Sequence, residues 1–192
     1  MAAMLAIVGG GLWLCLWQRR WRWLGLGPIA AGFLAVVLSY PPDVLLARDA
    51  RSAAVRDQEG HLVLLANKLD DYTASQWLQR DGDARDVEVA RQAGQCDDNG
   101  CVAVAVTGEL VALSLRVASL RDDCARATIL LAAEPVRLEC PYPRLVLDRF
   151  DVAREGAVAV YLRGGAARVE TVAQTRGRCP WTRNFSRNGN NN

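Results

Sequence analysis

Six cysteines, a single histidine and four groups of aspartates are the side chains of this 192-residue chain that could do chemistry. Oxygen ligands suit calcium or magnesium, and Asp70-Asp71, Asp81-Gly82-Asp83 with Asp86, Asp97-Asp98, and Asp122-Asp123 supply them. The 81–86 group is the best of these, but it lacks the spacing of a calcium loop. Aspartates also gather at turns and helix starts for purely local hydrogen bonding, which is the preferred reading here. Zinc is disfavoured as well, because one Cys-x4-Cys pair stands alone and His61 is the only histidine. His61 follows Gly60 and reads as an exposed turn residue rather than a base. Ser52, Ser75, Ser114, Ser119 and Ser186 lack any Gly-x-Ser-x-Gly context. Gly9-Gly10-Gly11 follows no strand, so close helix packing is a better use of it than a phosphate loop. No catalytic residue, metal site or cofactor is expected.

The cysteines point instead to disulfides. Cys96 and Cys101 flank Asp97-Asp98-Asn99-Gly100, which reads as a tight hairpin with Asn-Gly supplying positive φ angles. Such neighbours can be bridged if their Cβ vectors face each other. Cys124, in an expected helix, and Cys140, before Pro141-Tyr142-Pro143, make a candidate second pair, which leaves Cys179 odd and Cys15 in an apolar segment. Disulfides persist in oxidising compartments.

Position those residues on the chain and its organisation follows. Two apolar runs, Ala2 to Trp17 and Trp23 to Tyr40, flank the basic knot Gln18-Arg19-Arg20-Trp21-Arg22. Runs of 16 and 18 residues lie near the lower limit of about 17 to 25 for a membrane span. One or two transmembrane helices are therefore expected over residues 1–40, and a secretory signal is a poorer account, because its positive charge precedes the apolar stretch and the Met-Ala-Ala-Met start carries no basic side chain. The knot belongs on the cytoplasmic side and the body beyond Pro41 on the other. That places the chain in a bacterial inner membrane, with its body in the periplasm and the lipid bilayer as a partner.

The body runs over 41–183, with a tail at 184–192 that is rich in asparagine and expected to be disordered. Beyond Arg19, Arg20 and Arg22, 20 basic residues face 21 acidic ones, which is not the one-signed charge of a dedicated nucleic-acid grip. Strand-like runs fall at 44–48, 53–56, 62–66, 101–106, 110–115, 128–132, 145–147, 158–162 and 168–172. Helices are expected from Asp71 to about Arg80, from Asp86 to Ala93, and from a Ser119 cap to Arg126. These elements define an α+β domain with a mixed sheet.

An ordered set of landmarks carries a family resemblance. It comprises Arg-Trp-Arg-Trp-Leu-Gly-Leu at 20–26, Pro-Asp-Val-Leu at 42–45 and Gln-Trp-Leu-Gln-Arg-Asp-Gly-Asp at 76–83. Cys-Asp-x-x-Gly-Cys at 96–101, Asp-Asp-Cys-Ala-Arg-Ala at 122–127 and Val-Leu-Asp-Arg-Phe-Asp-Val at 146–152 complete it. Over residues 10–183 the chain resembles the C-terminal end of alphaproteobacterial ComEC-family competence proteins. The resemblance implies a role in carrying one DNA strand across the inner membrane, alongside other subunits of a DNA-uptake machine. It also implies a metallo-β-lactamase-like domain, degenerate here because one histidine cannot build the His and Asp cluster that such hydrolases need.

For single-stranded DNA, Arg176, Arg178 and Arg183 with Trp181 as a stacking surface are the candidate contacts. Asp148-Arg149-Phe150-Asp151 ends an expected strand, where a relic active site or an internal ion pair with Arg149 would lie. The alternative function is a membrane-anchored periplasmic scaffold with no part in DNA transport.

Overall fold

The computed structural model describes residues 2–66, 71–162 and 166–176. The chain divides into two compact units, Met1–Pro41 and Pro42–Asn192.

In the first unit, helices α1 (Ala2–Leu16) and α2 (Leu26–Val37) are joined through a 3-10 turn at Arg20–Gly25. Glycines let the two helices approach closely: a Cβ on Gly32 of α2 would lie 2.8 Å from the Ala3 carbonyl oxygen of α1, and one on Gly10 would lie 2.5 Å from the Gly25 carbonyl oxygen of the turn. The expected transmembrane helices are not there. No helix among the described residues is long and apolar enough to cross a membrane. The 3-10 turn consumes Trp23 to Gly25 and α2 stops at Val37, which leaves helices of 15 and 12 residues. At 1.5 Å per residue these reach about 22 and 18 Å, short of a hydrocarbon core of about 30 Å.

The second unit is α+β, but with two sheets rather than one. Strands β1 (Val44–Leu46), β2 (Ala53–Arg56) and β3 (Leu62–Leu65) open it, followed by helices α3 (Asp71–Asp81) and α4 (Val87–Gln92). Next come β4 (Gln95–Cys96), β5 (Gly100–Val104), β6 (Leu110–Ser114), helix α5 (Val117–Arg126), β7 (Ile129–Ala132) and β8 (Leu145–Leu147). Helix α6 (Arg149–Glu155), strands β9 (Val158–Tyr161) and β10 (Arg168–Thr171), and helix α7 (Val172–Arg176) close the described part. One sheet has the order β10-β9-β1-β2-β3 and is antiparallel throughout. The other has the order β4-β5-β6-β7-β8, antiparallel as far as β6 and parallel through β6, β7 and β8.

Strand alternation explains the layering, because successive side chains leave opposite faces. Val44, Leu46, Val55, Val63 and Leu65 of the first sheet share a core with Val111, Leu113, Ile129 and Leu131 of the second. The intervening residues point outward. Leu62 and Leu64 meet Ala74 and Leu78 of α3 and Ala90 of α4, while Ala112, Leu130 and Ala132 meet Leu120 and Cys124 of α5. The result is a helix, sheet, sheet, helix stack in which the central strands are apolar on both faces.

Buried polar groups fasten these layers. The Arg56 guanidinium, at the end of β2, donates to both carboxylate oxygens of Asp81 at the end of α3 and to the Gly60 carbonyl. Nearby, Arg85 pairs with Asp83 and donates to the Leu62 carbonyl at 2.8 Å, pinning the α3–α4 loop to β3. The Arg85 hydrogen bond, against a smaller opposing effect of burial, holds the Asp83 carboxyl below its usual range. A depressed folded-state value means that the unfolded chain binds more protons, so the Asp83 contribution is complete above the ordinary carboxylate value of about 3.9. It is lost as pH falls through the lower folded value. Urea titrations at pH 5 and at pH 3 check this: Asp83→Asn is expected to be less stable than the parent at pH 5, with the gap narrowing at pH 3.

Candidate functional site

Parallel strands place their carboxyl ends, and the loops that leave them, along one edge of a sheet, where ligands of open α/β sheets collect. Here that edge is formed by the ends of β6, β7 and β8, and it holds a cleft of about 590 Å³. Its apolar lining comes from Val117 and Leu120 of α5 and from Pro135 and Leu138 of the β7–β8 connection, of which Leu120 is buried and Val117 and Leu138 are exposed. Exposed Arg137, Arg149 and Phe150 stand at its mouth, and Glu134 completes the lining. A second hollow of about 600 Å³ shares Val117 and Glu134 with the first and adds Arg51 and Arg116.

The chain builds these walls in three ways. Cys96 and Cys101 sit opposite one another in register and are joined, which fixes the 97–99 turn; the Asn99 carbonyl then accepts from the backbone of Leu115 and Arg116. Cys124 of α5 is joined to Cys140, so the helix-free β7–β8 connection is tied to the helix beside it. Asp148 caps α6 in a reciprocal capping box with Asp151, and also accepts from the Val136 backbone at 3.4 Å. Both disulfides pair the cysteines proposed from spacing; Cys179 lies outside the described residues.

Arginines and carboxylates are interleaved along the edge, with Arg51, Arg116, Arg137 and Arg149 lining the two hollows beside Asp49, Asp98 and Glu134. Glu134 holds Arg149 at 3.4 Å through one oxygen and Arg51 at 3.7 Å through the other, so two cations share one anion. Arg116 and Arg137 are exposed and make no ion pair among the described residues. The Asp49 carboxylate is already occupied by the Arg51 and Ser52 backbone and by the Ser52 hydroxyl. The Arg149 guanidinium lies 5.5 Å from the centroid of the Phe150 ring, a cation–π arrangement that keeps both at the mouth. Such an edge offers guanidinium groups and one ring, while the Ser52 hydroxyl, which donates to Asp49, is buried.

Several expectations change in detail. Asp148 does not pair with Arg149, because its oxygens serve the α6 cap. Ser119 is not the cap of α5, which begins at Val117 with Arg116 as its cap; the Ser119 hydroxyl donates to the Asn99 and Arg116 carbonyls. Gly100 has no positive φ. A glycine is needed there because a Cβ would lie 2.5 Å from the Leu113 carbonyl oxygen. Asp81, Asp83 and Asp86, grouped in sequence, have separate tasks: the Arg56 pair, the Arg85 pair and the α4 cap. Asp123 accepts from the Ser114 hydroxyl.

His61 is half exposed in the β2–β3 hairpin beside Glu59 and Asp57, the one group of metal-ligating type among the described residues. Asp57 is engaged by the Glu59 and His61 backbone of the same turn. Arg176 ends α7 on the surface, whereas Arg178, Trp181 and Arg183 lie outside the described residues, so the proposed DNA-contacting group is not seen assembled. The cleft itself was not found by sequence reasoning.

Fold and site together define an α+β domain of two stacked sheets that presents a cationic cleft at the carboxyl edge of its parallel strands. Comparison with models of known protein families, with curated proteins and with solved structures finds no match to the chain.

Proposed function

We propose that this chain is the trailing, noncatalytic part of a competence-type DNA-uptake protein, acting on the periplasmic side of a bacterial inner membrane together with other subunits. One observation carries the reading. Two landmarks of the ComEC resemblance, at 96–101 and 146–152, meet at one edge, where a stapled hairpin and a capped turn flank its two hollows, while the landmark at 122–127 holds the second staple, Cys124–Cys140, farther along α5. The side chains presented there are arginines and a phenylalanine, which suit binding rather than metal-assisted hydrolysis. Two disulfides favour the oxidising side of the membrane.

A second reading, an assembly module with no contact to DNA, is favoured by the first unit. Met4, Leu5, Leu16, Trp21, Leu24, Phe33 and Val37 are exposed on the α1–α2 hairpin. Apolar surface on that scale marks a site of association.

Deleting the chain from its bacterium and measuring transformants and internalised labelled DNA tests both. The uptake reading expects internalisation to collapse while DNA still adheres to the cell and the other uptake subunits remain in the membrane. Loss of those subunits along with internalisation supports the assembly reading. Transformation at the parental frequency overturns both.

A further inference from the structure

We infer that the cleft at the carboxyl edge of β6, β7 and β8 seats a nucleotide of a single DNA strand, its phosphate on Arg137 and Arg149 and its base against Phe150 and Leu138. The site rests on geometry; the choice of DNA as the polymer rests on the uptake reading. Four features converge.

The cleft, at about 590 Å³, falls within the range of about 300 to 1,000 Å³ typical of small-molecule sites. Apolar side chains and two guanidinium groups line it together, the pairing that a base and its phosphate require, with Glu134 as the carboxylate among them. Phe150 is 49% exposed and Leu138 38% exposed, an aromatic and an aliphatic surface left facing water beside charge. Arg149 is held by Glu134 and lies over the Phe150 ring, so part of the ordering cost of a guanidinium clamp is met before any ligand arrives.

A strand fits better than an isolated nucleotide. The second hollow continues from the first through Val117 and Glu134, and Arg51 and Arg116 line it together with Asp49 and Asp98. A strand leaving the first hollow therefore meets further guanidinium groups, set among carboxylates, and every base has a π face for the Phe150 platform. Arginine is suited to this task because its planar fork both stacks and binds phosphate oxygens in pairs.

The test uses the full chain in mild detergent and a fluorescein-labelled oligothymidylate of about 12 nucleotides, within the footprint of known single-strand sites. Binding is read by anisotropy across a salt series. Arg137→Ala and Arg149→Ala are each expected to weaken binding about tenfold, as loss of a charge-assisted contact does. The double variant is expected to flatten the slope of log affinity against log salt by about 1.4, from about 0.7 per phosphate on a single strand. Phe150→Leu is expected to weaken binding about tenfold and Phe150→Trp to retain it, which separates stacking from packing. Arg80→Ala, exposed on α3 and away from the cleft, should leave it unchanged, and thermal unfolding verifies that each variant is folded. Thymidine monophosphate should displace the strand better than inorganic phosphate does.

No binding by the parent chain overturns the inference, while the uptake reading is judged separately by the deletion. Equal displacement by inorganic phosphate also overturns it, by reducing the site to an anion patch. So does unchanged affinity in the cleft variants, above all if Arg176, Arg178 and Arg183→Ala abolish binding instead.

Discussion

Replacing Arg56 by methionine while keeping Asp81 is expected to cost about 3 kcal/mol of unfolding free energy, the lower end of the range for halving a buried ion pair. Arg56 is 5% exposed, and the side chains of the pair are 6% and 13% exposed. Removing the guanidinium strands the Asp81 carboxylate without its two donors and leaves the Gly60 carbonyl without the Arg56 donor. The cost arises from desolvation that is no longer compensated, not from a large net gain in the intact pair. Changing both partners, as Arg56→Met with Asp81→Leu, is accordingly expected to recover most of the loss. A urea titration of the single and double variants decides the matter: if the single variant loses less than about 1 kcal/mol, solvent reaches the pair and screens it as at a surface.

The second large effect is expected from the staple between α5 and the β7–β8 connection. Converting Cys124 and Cys140 to alanine opens a loop of sequence separation 16, and chain-entropy arithmetic gives a loss of about 3 kcal/mol. Opening Cys96–Cys101, of separation 5, is expected to cost less, about 2 kcal/mol by the same expression. Alanine is the suitable replacement at Cys124, which is buried against Leu120 and Leu130 and would tolerate a hydroxyl poorly. Thermal unfolding with and without a thiol reductant checks both. Reductant should lower the midpoint of the parent chain and of each double-alanine variant, and should leave unmoved a chain lacking all four cysteines. An unmoved parent midpoint would show that neither bond contributes.

Much of the body was legible because its strands carry their signal locally. Val44–Leu46, Ala53–Arg56, Leu62–Leu65 and Ile129–Ala132 are short apolar or β-branched runs between turn formers, and they are strands. How the strands divide between sheets was not legible, for a physical reason. Central strands of a four-layer stack are covered on both faces, so Leu62-Val63-Leu64-Leu65 shows no alternation to indicate which side faces which partner. Helix α6 was missed because its seven residues depend on the Asp148 cap rather than on apolar period. The apolar runs near the start were read by length alone, which cannot foresee a 3-10 turn at Arg20–Gly25.

The cleft escaped the sequence for a different reason. Arg51, Arg116 and Arg137 sit in three separate connections and Arg149 opens α6, and no spacing connects them until the two sheets bring those ends together. One fragment was visible: Asp148 to Asp151 was placed at a strand terminus, the right position, with the wrong partner for Arg149. The balanced charge of the whole body also concealed how its charges are placed, because Asp81, Asp83, Asp86 and Asp148 are committed to Arg56, Arg85 or helix caps.

The two disulfides hold the 97–99 turn and the β7–β8 connection, segments that flank the two hollows, so redox state and shape are linked. A chain still among reduced thiols carries every arginine of that edge, yet its 97–99 turn and its β7–β8 connection are free to drift from α5. Oxidation would then set the walls, so that redox state as well as sequence decides whether that edge has a fixed shape.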